Sequence, residues 1–175
     1  MAADTPILRR AVADDAALLA ELGARTFHDT FAADNDPRDL AAYLAESFSP
    51  AKQAAELADP SHSFLIAELG GTAIGYAQLR SGDAPPSVRG PRPTELARIY
   101  VDRPWLGRGV GELLLGSCIA EARRAGFQTL WLGVWERNAR ALAFYRRRGF
   151  TVVGSHIFQL GSDPQTDLLM ERSLT

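Results

Sequence analysis

A single mixed α/β domain is what the 175-residue sequence predicts, and three features carry that prediction. Two strand-like apolar runs flank Gly70-Gly71, and two more lie near the end of the chain around Gly161-Ser162-Asp163-Pro164, each pair reading as a hairpin. Between the pairs come an extended segment, a glycine-rich turn, a helix-length run and a nearly all-apolar strand, which is the order of a βαβ unit. The length suits one domain with a substantial core.

Taken in order, Ile7 to Val12 reads as a first short strand. Ala13-Asp14-Asp15 supplies an N-cap and first-turn acids for a helix running to about Phe31. Asn35-Asp36-Pro37 breaks that helix, and two shorter ones follow, Arg38 to Ser47 and Pro50 to Asp59, the second opened by Pro50 behind Ser49. Ser63 to Leu69 and Thr72 to Leu79 form the first hairpin. Ser81 to Pro93 holds Gly82, Pro85, Pro86, Gly90, Pro91 and Pro93, has no packing pattern, and is expected to be a mobile surface loop. Extended Glu95 to Val101, a helix from about Gly109 to Ala125 and the strand Thr129 to Trp135 make the βαβ unit, whose crossover should be right-handed with its strands parallel. A helix from Asn138 to Arg148 follows, and both helices end in a Gly-Phe pair, Gly126-Phe127 and Gly149-Phe150, the signature of a left-handed glycine cap. Thr151 to Phe158 and Asp167 to Leu174 are the last two strands.

Composition excludes several classes of function. A formal net charge of -2 lacks the cationic surplus of a general nucleic-acid binder. The single cysteine, Cys118, can form neither an internal disulfide nor a zinc cluster, and it reads as a small core residue. Met1 to Thr5 shows no signal-peptide pattern and no apolar run reaches the roughly 20 residues of a spanning helix, so a cytoplasmic protein without a membrane partner is expected. Charge is divided along the chain: Met1 to Gly70 carries 12 acidic and 5 basic residues, Gly71 to Thr175 carries 9 acidic and 14 basic. Two such halves facing across a cleft would draw a cation to one wall and an anion to the other; a solvated acidic helix face is the competing explanation.

The segment Trp105-Leu106-Gly107-Arg108-Gly109-Val110-Gly111-Glu112 is where chemistry is expected. Its glycines let backbone approach a ligand closely, and they open into a helix whose first amides lack intrahelical partners. That combination binds phosphate. The spacing matches neither a dinucleotide fingerprint nor a nucleoside triphosphate loop. Further on, Asn138 stands at a helix start, with Phe144-Tyr145 and Gly149-Phe150 behind it.

These two motifs together resemble the GCN5-related N-acetyltransferase (GNAT) superfamily, whose cofactor loop reads Gln/Arg-x-x-Gly-x-Gly/Ala; Leu106 stands at the Gln/Arg position here. The phrases Thr26-Phe27-His28-Asp29-Thr30-Phe31, Arg98-Ile99-Tyr100-Val101, Trp131-Leu132-Gly133-Val134-Trp135-Glu136 and Gln165-Thr166-Asp167-Leu168-Leu169-Met170 look like the bacterial spermidine/spermine N-acetyltransferase (PaiA-type) subgroup. The resemblance implies a central mixed, mostly antiparallel sheet of about seven strands, with a splayed parallel pair and helices on both faces. It implies acetyl-CoA as cosubstrate, no metal, and direct attack of a neutral amine on the thioester. Ile99, Tyr100 and Val101 would border the pantetheine arm, and Gly107, Arg108, Gly109, Val110, Gly111 and Glu112 would hold the pyrophosphate. Asn138 would reach the pantetheine.

A lysine-like amine titrates near 10.4, so delivering it neutral at pH 7 costs about 4 to 5 kcal/mol unless a group takes the proton. Tyr145 is the candidate general acid toward the departing thiolate, a core tyrosine being the competing reading. Relatives often place an acid two residues before the Ile99 position, where this chain has Ala97. Glu95, two further back and on the same strand face by strict alternation, is the candidate base through water, against a reading as an ion-pair residue. Phe27, Asp29, Phe31, Asp34 and His156 are expected to border the acceptor, with Asp29, Asp34, Asp36 and Asp39 forming an acidic wall that favours a polyamine such as spermidine or spermine. Another small amine, a protein N-terminus or a non-catalytic acyl-CoA sensor are the alternatives, and self-association through strand edges is compatible with the pattern.

Overall fold

The computed structural model describes residues 5–175; the segment ahead of Thr5, and with it the reading of the N-terminus, lies outside the described residues. One seven-stranded sheet runs through the molecule in the order β1-β2-β3-β4-β5-β7-β6. Its strands are β1 (Ile7–Arg10), β2 (His62–Leu69), β3 (Thr72–Arg80), β4 (Pro93–Val101), β5 (Thr129–Trp135), β6 (Thr151–Leu160) and β7 (Asp163–Ser173). Every neighbouring pair is antiparallel except β4 and β5.

The helices are α1 (Ala16–Phe31), α2 (Pro37–Ser47), α3 (Pro50–Ala58), α4 (Val110–Arg124) and α5 (Ala139–Arg147). Local chemistry sets their ends. Asp36 and Ser49 cap α2 and α3, each ahead of a proline at the first helical position. Gly126 and Gly149 both adopt φ of 84°, and Phe127 and Phe150 each donate an amide five residues back, to Ala122 and Tyr145. Both helices therefore close as glycine-capped ends.

The sheet is covered on both faces. On one, α4 and α5 bury Leu114, Leu115, Cys118, Leu142 and Tyr145 against Leu130, Leu132, Leu96 and Met170. On the other, α1 sets Leu19 and Leu22 on Phe64, Ile66 and Tyr76, while Phe27, Leu40, Phe48 and Leu160 form an adjoining cluster. Truncating a core residue such as Leu114, which has no exposed surface, removes about 2 to 5 kcal/mol.

Two expectations change. The 81–92 segment is packed down: Val88 and Ala84 cover Trp131 and Leu169, and Glu171 accepts the amides of Arg89 and Gly90 at 3.0 and 3.4 Å. Its prolines and glycines shape a cover over β5 and β7, because the apolar residues it needs are only two and too scattered to make a pattern. The terminal hairpin is also longer than its turn residues indicate, since pairing continues to Leu160↔Asp163 and takes Gln159↔Pro164 into the ladder.

Candidate active site

The parallel pair is short. β4 and β5 are in register only at Pro93↔Thr129, Thr94↔Leu130 and Glu95↔Trp131, and beyond that point the two strands separate. The cause is visible on the other edge of β4: Arg98 pairs with Gln78 and Leu96 with Leu79, leaving Ala97 as an extra residue in a β-bulge. Bulges bend a strand and increase its twist. Arg98 to Val101, although in a central strand, are only half-buried because nothing pairs with them on the β5 side. The gap between Ala97–Val101 and Leu132–Trp135 is long enough for an extended ligand arm to lie as an additional strand.

Above one face of this gap stands the N-terminus of α4. Gly107 and Gly109 take φ of 73° and 84°, a region that side chains disfavour, and the turn delivers Val110, Gly111 and Glu112 as the opening residues of α4. Gly111 lies close to Phe144 and Val101, where a Cβ would stand 3.6 and 3.8 Å from those side chains. The first-turn amides, with no helical acceptor, form an anion cradle. Around it are cations: Arg108 stacks on Trp105 at 5.2 Å, and the Arg140 guanidinium of α5 lies 3.8 Å from the Cβ position of Gly107. Arg140 was not legible as a loop residue, its only signal being its place two residues after Asn138. Asp102 fastens the end of β4, with both carboxylate oxygens 3.2 Å from Arg25 of α1. Asn138 caps α5 through its Oδ1 on the Ala141 amide at 3.2 Å, and Glu112 pairs with Arg148 at 3.1 Å.

The family model described as Acetyltransferase (GNAT) family matches residues 25–150. The chain belongs to the GNAT family of acetyltransferases. An N-acetyltransferase from the pepI 3' region of Lactobacillus delbrueckii subsp. lactis is 37% identical over 153 residues, 87% of this chain and 88% of that one. An N-acetyltransferase of Mycobacterium tuberculosis (strain ATCC 25618 / H37Rv) is 34% identical over 160 residues, 91% and 98% of the two chains. The fold matches the PaiA N-acetyltransferase of Thermoplasma acidophilum, solved with coenzyme A, at a TM-score of 0.81 and 22% identity, covering 97% of this chain and 99% of that one. This GNAT chain is thus an acetyltransferase, and acetyl-CoA is the cosubstrate of its family. The open gap and the amide cradle fit that group.

Tyr145 is buried in the core beside the gap, stacked edge-on with Phe144 and Phe150 at 5.3 and 5.5 Å. Burial lifts its phenol well above the ordinary tyrosine value, so it stays protonated at neutral pH. Cys118, on the same core face, is pushed up to about 12 by burial and is no nucleophile. Among the described residues no group of three or more His, Cys, Asp or Glu is placed to hold a metal ion.

The opposite face of the gap is walled by aromatic side chains. Phe27 and Phe31 of α1 stack on each other at 4.5 Å, Phe31 meets Trp135 at 5.9 Å, and Tyr43 of α2 meets Phe158 of β6 at 5.2 Å. Tyr100 turns to this side and lies 6.3 Å from Phe27, while Ile99 and Val101 pack toward α4. Beneath the aromatics Arg98 is paired to Glu56 at 3.0 Å and stacks on Phe48 at 4.8 Å. His156 and Asp167 face each other across β6 and β7 at 3.7 Å, beside Gly133. Burial lifts the Asp167 carboxyl above the ordinary carboxylate range, against the pull of His156.

Two expected site residues are not brought there. The bulge at Ala97 breaks the alternation on which Glu95 was placed: Leu96 and Ile99 share the α4 face, and Glu95 lies across the strand from Arg80. Its carboxylate accepts from Arg80 at 2.8 and 2.6 Å, at the level where β4 and β5 still pair. Asp29 is two residues from both Phe27 and Phe31, about 200° around the helix, so it points outward and is exposed. Of the remaining acids, Asp36 caps α2 and Asp39 holds the β6–β7 turn by accepting from the Ser162 amide and hydroxyl at 2.8 and 2.7 Å. Asp34 stays exposed at the rim, next to Asn35, which accepts from Gln165 of β7. Asp167 itself was missed as a site residue. Its signal was an acid at a position of β7 whose neighbours two along, Gln165 and Leu169, share its inward face.

Proposed function

We propose that this GNAT acetyltransferase acetylates a primary amine of a polyamine such as spermidine or spermine by direct transfer. The observation that carries the reading is that one gap in the sheet is reached from two faces. The amide cradle of α4 stands over one, and an aromatic groove floored by solvent-exposed Gly133 opens on the other. The groove suits a chain of methylenes between cationic ends: Phe31, Trp135 and Phe158 offer apolar wall, Asp167 an inner carboxylate, and Asp34 and Asp163 outer ones beside Gln165.

The residues divide the work. The amides of Arg108 to Glu112, with Arg140, hold the pyrophosphate, and the β4 backbone at Ile99 and Val101 aligns the pantetheine arm with Asn138 at its flank. An amide near Val101 faces the carbonyl oxygen on which charge develops. Tyr145 protonates the departing sulfur, its phenol carrying the proton at neutral pH. Glu95, neutralised by Arg80, takes no proton in this scheme.

A second reading, a mono-cationic amine such as a peptide N-terminus, is favoured by one observation: two of the four acids expected in the acceptor wall are consumed by the α2 cap and by Ser162. The test is thiol release from acetyl-CoA with spermidine, spermine, putrescine, lysine, an N-terminal peptide and a blank. Buried, protonated Cys118 leaves coenzyme A as the only responsive thiol. Saturable turnover highest with spermidine or spermine supports the polyamine reading; turnover confined to the peptide or lysine replaces it with the second.

A further inference from the structure

Direct transfer leaves the acceptor's ammonium proton without a recipient once Glu95 is committed to Arg80. We propose that His156 takes this proton, with Asp167 as the positioning residue behind it; the inference rests on the amine-acetylation reading above.

The placement follows from three adjacent strands. β5, β7 and β6 align Trp135 with Asp167 and Asp167 with His156. Gly133 lies two residues beyond Trp131, the last β5 residue paired to β4, so it sits inside the gap. It is exposed although its strand is central, and a Cβ built there would stand 3.3 Å from both His156 Nε2 and Asp167 Oδ2. A groove open to solvent at that point therefore ends on the imidazole and the carboxylate. The His156 side chain is 43% exposed and that of Asp167 13%, so the imidazole meets the ligand and the carboxylate backs it. Arg137 stacks on Trp135 at 5.5 Å just past the end of β5. From α2 comes the Tyr43 phenol, which is held neutral by burial and also feels Asp167, Arg98 of β4 and Glu56 of α3. The 81–92 cover sets Ser87 against Gly154.

In the step, an ammonium N–H bond breaks toward His156 Nε2 and its electron pair stays on nitrogen. That pair forms the C–N bond, and the C–S bond breaks with its pair going to sulfur, which Tyr145 Oη protonates. The second proton lost by nitrogen restores Tyr145, and the imidazolium returns its proton to water. One proton is released per amide formed.

His156→Gln is expected to lower kcat/KM for the amine about 100-fold or more, to leave acetyl-CoA affinity within two-fold by calorimetry, and to erase the acid limb of the kcat/KM profile. Added imidazole restores turnover to His156→Ala, which a structural histidine would not allow. Asp167→Asn lowers kcat/KM by roughly ten-fold, the usual scale for a group that orients another. Without acetyl-CoA, spermidine shifts the His156 ring-proton resonances of the parent and leaves those of Gly133→Val unchanged, because the new side chain fills the groove floor. If His156→Gln, folded by circular dichroism, stays within three-fold of the parent with its acid limb intact, the assignment falls while amine acetylation stands. A parent that binds acetyl-CoA and acetylates no amine takes both down.

Discussion

The two faces of the gap in this sheet are built on different principles. On the α4 side, ligand contacts come from backbone: a run of eight residues sets the turn, the left-handed glycines and the free amides, and any sequence with that local pattern would make them. On the α1–α2 side, contacts come from side chains on α1, α2, β4, β5, β6 and β7, and no two neighbours in sequence make the groove. The cofactor half is therefore the more conservative design, and acceptor choice can drift without disturbing it.

Substitutions should separate the halves. The largest effect is expected from Tyr145→Phe, which lowers kcat about 100-fold or more while acetyl-CoA affinity changes by less than two-fold in calorimetry. A matching loss of affinity would mean that Tyr145 is part of the cradle. Next, Gly109→Ala puts a side chain at φ of 84°, a strain of roughly 1 to 2 kcal/mol, and should weaken acetyl-CoA binding about ten-fold with the amine KM unaltered. On the other face, Asp34→Asn with Asp163→Asn should raise the spermidine KM several-fold at low salt and leave that of a monoamine unchanged, since rim charges are screened and act mainly on distant ammonium groups. Equal effects on both amines would remove the rim from polyamine binding.

The smallest effect lies outside both faces and serves as the reference. Arg9 hydrogen-bonds Asp15 at 2.8 Å and holds its carboxyl below the ordinary range, with burial opposing. A depressed folded-state pKa gives stability that is complete above the unfolded value of about 4 and is lost as pH falls toward the folded value. Asp15→Asn should therefore melt a few degrees below the parent at pH 7, on the scale of about 2–4 °C per kcal/mol for a chain this size, and the two should converge as the pH falls below the folded value. Activity at pH 7 and a permissive temperature should not change.

By itself the sequence determined whatever depends on neighbours along the chain. The caps at Asp36 and Ser49, the Gly-Phe helix ends, the hairpin at Gly70-Gly71 and the Gly107–Gly111 turn were all legible, because each rests on backbone geometry within a few residues. Only the tertiary structure decided the acceptor half. One extra residue, Ala97, inverts the face of everything before it in β4, which put Glu95 on the face of Arg98 and Tyr100, at the level where β4 still pairs with β5 and against Arg80. A bulge is defined against the partner strand, so alternation counted along one strand cannot see it. The meeting of His156, Asp167 and Gly133 likewise depends on the register of three strands, and on β7 lying between β5 and β6, an order that sequence proximity does not dictate.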